Sequence, residues 1–152
     1  MLAALDTSPT YSFQPCQLAR EIIQAEAIGL TQLAGRIDTS FAETVTAIVN
    51  CRGSVVVSGI GKAGLVGQKI SATFASTGTR SQFLHPSEAL HGDLGRINND
   101  DLLLVLSFSG ETEEILRLVQ AAEPLGADLA AITGRPLSTL ARQARFVLDL
   151  GP

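Results

Sequence analysis

The sequence predicts an α/β fold, a three-layer sandwich whose five-stranded, mostly parallel sheet is flanked by helices. Short apolar, β-branched runs alternate with helical patterns of roughly 10 to 15 residues, the pattern of βαβ units. The runs are apolar throughout rather than at alternate positions, as in Leu102–Leu106, which fits strands covered on both faces. The 152 residues, 45% hydrophobic and 17% charged, suffice for one domain with a real core.

Residues 1–14 read as a loose arm and 15–152 as the domain. From Pro15 to Ile37, Leu18, Ile22, Ile23, Ala25, Ala27, Ile28, Leu30 and Leu33 recur at helical spacing, with Pro15 suited to a first turn. A second helix is expected over Ser40–Asn50, with Phe41, Val45, Ile48 and Val49 on one face. Both leading helices are expected to cover the sheet or to make subunit contacts. Ser54–Ser58 follows as the first strand, Gly59–Gly64 as a glycine-rich turn, Leu65–Ser76 as a helix and Ser81–His85 as the second strand. Leu102–Leu106 is the third strand, followed by a helix from about Thr112 to Glu123. Asp128–Ile132 and Phe146–Leu150 complete the sheet.

The net charge of −4 argues against a nucleic-acid partner, because no basic field is available to neutralise phosphates. No apolar run of about 18 residues occurs, which argues against a membrane span. The start, MLAALDTSPTYSF, lacks the basic region of a signal peptide. Cys16 and Cys51 have no metal-ligand spacing and read as packing residues in a reduced, cytoplasmic setting.

In an open α/β sheet ligands bind outside the carboxyl ends of the strands, and three segments fall there. The first is SGIGKAG, Ser58–Gly64. It lacks both the Walker spacing and the acidic residue of a dinucleotide site, and reads as a tight turn or as an anion site with Lys62. The second, HPSEALHGDLGR, holds both histidines of the chain, His85 and His91, with Glu88 and Asp93. Contact with sugar hydroxyls or ring opening suits it better than a metal, since a three-ligand set is not evident. The third is SFSGET. Ser107, Ser109 and Thr112 offer hydroxyls, Gly110 permits close backbone approach, and a helix starts immediately behind. One hydroxyl would suffice for a cap; three with a glycine favour a monoester phosphate. Glu111, Glu113 and Glu114 would complement the helix dipole but repel that phosphate, so at least one should point elsewhere. One of them could serve as general base on a carbon-bound proton; spacing does not choose which.

SGIGKAG, SATFASTGTRSQFLHPSEALHGDLG, LSFSGETEEI and ITGRPLSTLAR, in this order from about Gly53 to Val147, resemble the sugar isomerase domain of arabinose-5-phosphate isomerases. HPSEALHGDLG is the most specific element. The resemblance implies interconversion of D-arabinose 5-phosphate and D-ribulose 5-phosphate through an enediol, a step that in Gram-negative bacteria feeds 3-deoxy-D-manno-octulosonate and lipopolysaccharide synthesis. It also implies a five-stranded parallel sheet, a phosphorylated sugar as partner, and a homodimer or homotetramer.

By the same resemblance Lys62, Glu114 and His91 are the catalytic positions, and Glu111 and Glu113 are left as dipole and surface residues. Substrate contacts fall on Gly61, Gly78, Thr79, His85, Ser107, Ser109, Gly110 and Thr112. No cofactor is required, and zinc is implied at His85 as an inhibitory ion. The family's domain continues beyond the length of this chain, with a further glutamate, a histidine in an S-H-P-G-G-type segment and, in long members, CBS modules. Those positions are not in these 152 residues. The competing expectation is therefore a module that binds sugar phosphates without efficient turnover.

Overall fold

The computed structural model describes residues 14–151; the expected arm, apart from Gln14, lies outside them. The described residues form two compact units, one ending at Gly35 and the other starting at Arg36. The first unit holds α1, Pro15–Ala34, which starts on a proline and ends at Gly35. Its Leu18, Ile22, Ile23, Ile28 and Leu30 are exposed, as is Cys16. Cys16 is thus not the packing residue expected.

The second unit runs α2 (Thr39–Val49), β1 (Val55–Gly59), α3 (Gly61–Ser76), β2 (Ser81–Phe83), α4 (Pro86–Leu90), β3 (Leu102–Leu106), α5 (Glu113–Ala122), β4 (Asp128–Thr133), α6 (Thr139–Gln143) and β5 (Phe146–Asp149). The five strands form one sheet in the order β2-β1-β3-β4-β5, and every pairing is parallel. Their apolar runs are continuous because both faces are covered. Val55, Val57, Leu102, Leu104 and Phe146 pack towards Ala47 and Ile48 of α2 and Ile70 and Phe74 of α3. The alternate residues Val56, Leu103, Val105 and Ala131 pack with Ala89, Ile115, Leu118 and Leu140 of α4, α5 and α6. On α5 the buried set Ile115, Leu118, Val119 and Ala122 follows the i, i+3, i+4, i+7 stripe of a helix lying on a sheet.

Two polar ties fix the frame. Asp38 caps α2 by accepting from Ser40 N–H at 2.9 Å, and Ser40 Oγ donates to the Val147 carbonyl at 2.6 Å, tying α2 to β5. Asp101, 7% exposed, accepts from the backbone N–H of Ser54 at 2.7 Å and of Asn98 at 2.8 Å, which aligns the entries to β1 and β3.

The expected elements all form, with three differences. The Gly59–Gly64 turn is shorter than expected, because the helix already begins at Gly61. His85 does not close β2, which ends at Phe83. The loop expected over residues 85–96 is mostly helical, comprising α4 and a 3₁₀ turn at Asp93–Arg96. The short helix α6 was not expected at all.

Candidate functional site

β1 leads through α3 to β2 on one side of it, and β3 lies on its other side. The winding therefore switches sides between β1 and β3, and such a switch point marks a crevice at the strands' carboxyl ends, the usual place for a ligand in an open parallel sheet. Gly59 is the register partner of Leu106, so the segments after β1 and β3 leave the sheet side by side.

Three glycines shape the exit from β1. A Cβ on Gly64 would stand 2.7 Å from the Gly59 carbonyl oxygen, and one on Gly59 would stand 3.0 Å from the Ala63 carbonyl. These two glycines let α3 start against the strand. Gly61 has φ +58° with open space around it, so it serves conformation rather than packing. Lys62 consequently occupies the first turn of α3, not a loop. It is exposed and enters none of the ion pairs formed among the described residues. No side chain caps α3, so its first-turn N–H groups stay open.

The same holds after β3. Thr112 occupies the N-cap of α5 but makes no side-chain cap bond; its hydroxyl instead lies 3.1 Å from Ser107 Oγ. The plain capping explanation of this segment is therefore not what the hydroxyl does. Ser107 Oγ also accepts from Gly110 N–H at 3.2 Å, and Ser109 Oγ from Glu111 N–H at 3.2 Å. Each hydroxyl carries one proton. The Ser107–Thr112 pair uses one, so the protons of Ser109 and of one member of that pair remain for a ligand, beside the open amides of α5. Gly110, at φ +63°, is a buried residue of this loop.

The three acids separate cleanly. Glu113 pairs with Arg117 one turn on. Glu111 does not act on its own helix; its carboxylate accepts from the backbone N–H of Thr139 at 2.8 Å, at the start of α6. That bond, with the hydroxyl of Thr139 and the field of Arg142, holds the Glu111 carboxyl below its ordinary pKa. It is thus more than the dipole and surface residue expected. Glu114 is exposed and takes part in none of the ion pairs among the described residues.

His85 leaves the sheet level with the end of β1, because Leu84 N–H donates to the Val57 carbonyl at 2.9 Å and Ser58 Oγ donates to the Leu84 carbonyl at 2.7 Å. It caps α4, its Nδ1 accepting from Ser87 N–H at 3.2 Å, which leaves only Nε2 for a ligand. His91 closes the same short helix, which packs against α5. No group of three or more His, Cys, Asp or Glu among the described residues could hold a metal ion. His85 is therefore not part of a three-ligand set among these residues.

Gly78 and Thr79 are not brought to this site. They follow the C-terminus of α3 and precede β2, at the opposite end of the sheet. The 16-residue helix between Lys62 and Gly78 is roughly 24 Å long, too far for one pentose phosphate to touch both ends. Gly78 has φ +96°, which makes it a turn glycine, and Thr79 lines a groove between α2 and α3.

Sequence reasoning missed the strap from Thr133 to Leu140. Gly134 N–H and Thr133 Oγ both donate to the Phe108 carbonyl, at 3.0 and 3.1 Å, and Leu140 N–H donates to the Gly110 carbonyl at 3.1 Å. The available signal was Ser138 followed by Thr-Leu-Ala, a helix start; Ser138 Oγ does cap α6, accepting from Ala141 N–H at 3.3 Å.

The chain is similar to proteins of known kind. It is 48% identical over 132 residues to the arabinose 5-phosphate isomerase KpsF of Escherichia coli O6:H1 strain CFT073, covering 86% of this chain and 40% of that protein. The chain spans about 40% of the length of the curated relatives it matches. Among solved structures, a Bacteroides fragilis chain described as a candidate phosphosugar isomerase involved in capsule formation superposes with a TM-score of 0.85 at 40% identity, over 90% of this chain and 73% of that one. A protein from E. coli CFT073 in complex with arabinose 5-phosphate superposes with a TM-score of 0.80 at 35% identity, over 91% of this chain and 76% of that one. The family model of the SIS domain matches residues 48–151, the stretch that carries the whole sheet and every element of the crevice, and the chain belongs to the SIS domain family.

Proposed function

We propose that this chain is the sugar-phosphate domain of an arabinose-5-phosphate isomerase. The observation that carries the reading is the pair of uncapped helix starts, α3 and α5, opening at the carboxyl ends of neighbouring strands. The substrate assignment is supported by the relatives, whose names specify arabinose 5-phosphate. The phosphate lies on the open amides of α5 and the hydroxyls of Ser107, Ser109 and Thr112, while Gly110, where a Cβ would meet Ser138, seats the loop on the strap.

The sugar carbons then lie between Lys62 and Glu114. Glu114 carboxylate removes the proton from C2 of the open-chain aldose. The C2–H electron pair becomes the C1–C2 double bond, and the carbonyl pair moves to O1, giving an enediolate whose charge the Lys62 ammonium offsets. Glu114 returns its proton to C1, the O2 proton passes to O1, and the C1–C2 pair is replaced by the C2 carbonyl, which completes the ketose and leaves Glu114 ionised as at the start. His85 and His91 handle the sugar hydroxyls. Electrons stay within the substrate, so no redox cofactor takes part.

Incubating the chain with D-arabinose 5-phosphate is expected to yield D-ribulose 5-phosphate. Tight calorimetric binding without conversion would instead support a binding module. The reading places the protein in cytoplasmic synthesis of 3-deoxy-D-manno-octulosonate; no described helix is long and apolar enough to cross a membrane. It also includes a homo-oligomer, supported by the apolar groove of about 570 Å³ that Phe41, Val45 and Val49 of α2 form with Ile70 and Phe74 of α3. A monomeric mass by light scattering at micromolar concentration would contradict that part.

A further inference from the structure

We infer that Glu111 is a positioning residue, which latches the downstream half of the Ser107–Thr112 loop onto the strap between β4 and α6. The inference rests on reading that loop as the phosphate cradle. The strap grips the upstream half through backbone atoms: the Phe108 carbonyl takes Gly134 N–H and Thr133 Oγ, and the Gly110 carbonyl takes Leu140 N–H. These partners are firmly seated, Thr133 and Leu140 being fully buried. Downstream, Glu111 and Thr112 carry the loop into the first amides of α5. Among the described hydrogen bonds, the only tie from this half to the strap is the Glu111 carboxylate on Thr139 N–H, at 2.8 Å and across 28 residues of sequence.

The direction of the side chain also matters. Glu111 precedes the N-cap of α5, where a carboxylate left free would stand beside the incoming phosphate and repel it. Bound to the start of α6, with Arg142 close by and itself bonded to Thr139 Oγ at 3.0 Å, it is turned away from the open amides. One side chain thus performs two tasks, holding Thr112 in place and keeping its own charge off the ligand.

The two possible roles of Glu111 give opposite signs on removal. As a mere nearby charge, its loss would tighten phosphate binding. As a latch, its loss would weaken binding, and glutamine, which keeps a carbonyl acceptor for Thr139 N–H, would restore it. Calorimetry on the full chain with inorganic phosphate and with arabinose 5-phosphate is expected to give a Kd about tenfold higher for Glu111→Ala, the effect of one charge-assisted hydrogen bond. Glu111→Gln should stay within about threefold of the parent. In the isomerisation assay KM should rise with kcat at saturation unchanged. Equal or tighter binding by Glu111→Ala overturns the inference, and so does Glu111→Gln binding as weakly as Glu111→Ala. The cradle itself is tested separately by the amide signals of Glu113 and Glu114 in the parent chain. If phosphate leaves them unmoved, the cradle fails and the latch with it; if it moves them and Glu111→Ala binds normally, the latch alone fails.

Discussion

Gly110→Ala is expected to unfold well below the parent chain and to lose phosphate binding. Gly110 sits at φ +63°, where an L side chain costs about 1–2 kcal/mol. A methyl group there would also overlap Ser138 Oγ, stand 2.5 Å from Ser138 Cβ and 3.2 Å from Thr133 Oγ1. Neither neighbour can retreat, since both are buried and Ser138 caps α6. Overpacking of this kind costs about 1–3 kcal/mol, so the total is about 2–5 kcal/mol, or roughly 5–15 °C in Tm for a chain of this size. Adding Ser138→Gly should recover part of the loss by relieving the overlap, a non-additive pair. A Gly110→Ala melting curve superposing on that of the parent would show that the loop and strap are not packed as described.

Glu114→Gln carries the largest expected effect on chemistry. Glutamine keeps the size and polarity of the side chain but cannot accept a carbon-bound proton. General-base catalysis contributes about 10²–10⁴-fold, so kcat for arabinose 5-phosphate should fall by that factor, equivalent to about 3–5 kcal/mol of barrier. KM should change little, because phosphate contacts set affinity and the Glu114 side chain makes none of them, its backbone amide being unchanged in the variant. Of the three acids behind the loop, Glu111 is held by Thr139 and Glu113 by Arg117, which leaves Glu114 as the carboxylate free to meet the sugar. Normal turnover by Glu114→Gln would move the base to another residue, with Glu88 on the exposed side of α4 the next to examine.

The sheet was legible because each strand is an uninterrupted apolar run, and burial on both faces by α2 and α3 on one side and α4, α5 and α6 on the other is what such runs require. The crevice was legible as well, since parallel strands bring all their carboxyl ends to one edge. Three features were hidden for physical reasons. The start of α3 was masked by glycines that look like a turn but serve its close departure from β1. Residues 85–96 look like a loop because five-residue helices are too short to show periodicity, and α6 escaped for the same cause. Gly78 and Thr79 lie in a segment that the resemblance links to the ligand, yet motif order does not reveal which end of the sheet a residue occupies. Glu111 is the instructive case. Its position suggested service to the helix behind it, whereas its partner lies 28 residues away, a distance over which local pattern carries no information.

Other hollows exist elsewhere, which makes the location of binding a sharp test. A cleft of about 770 Å³ opens at the amino ends of β3 and β4 beside Asp100, Asp128 and Arg145, and the groove between α2 and α3 is about 570 Å³. The most direct measurement is an amide NMR titration of the labelled chain with arabinose 5-phosphate. The largest shifts are expected on Gly61, Lys62 and Ser109 through Glu114, at the carboxyl ends of β1 and β3, with Gly78 and Thr79 unmoved. Shifts concentrated around Asp100 and Asp128, or along Phe41, Val45 and Thr79, would place the ligand away from the crevice and contradict that expectation.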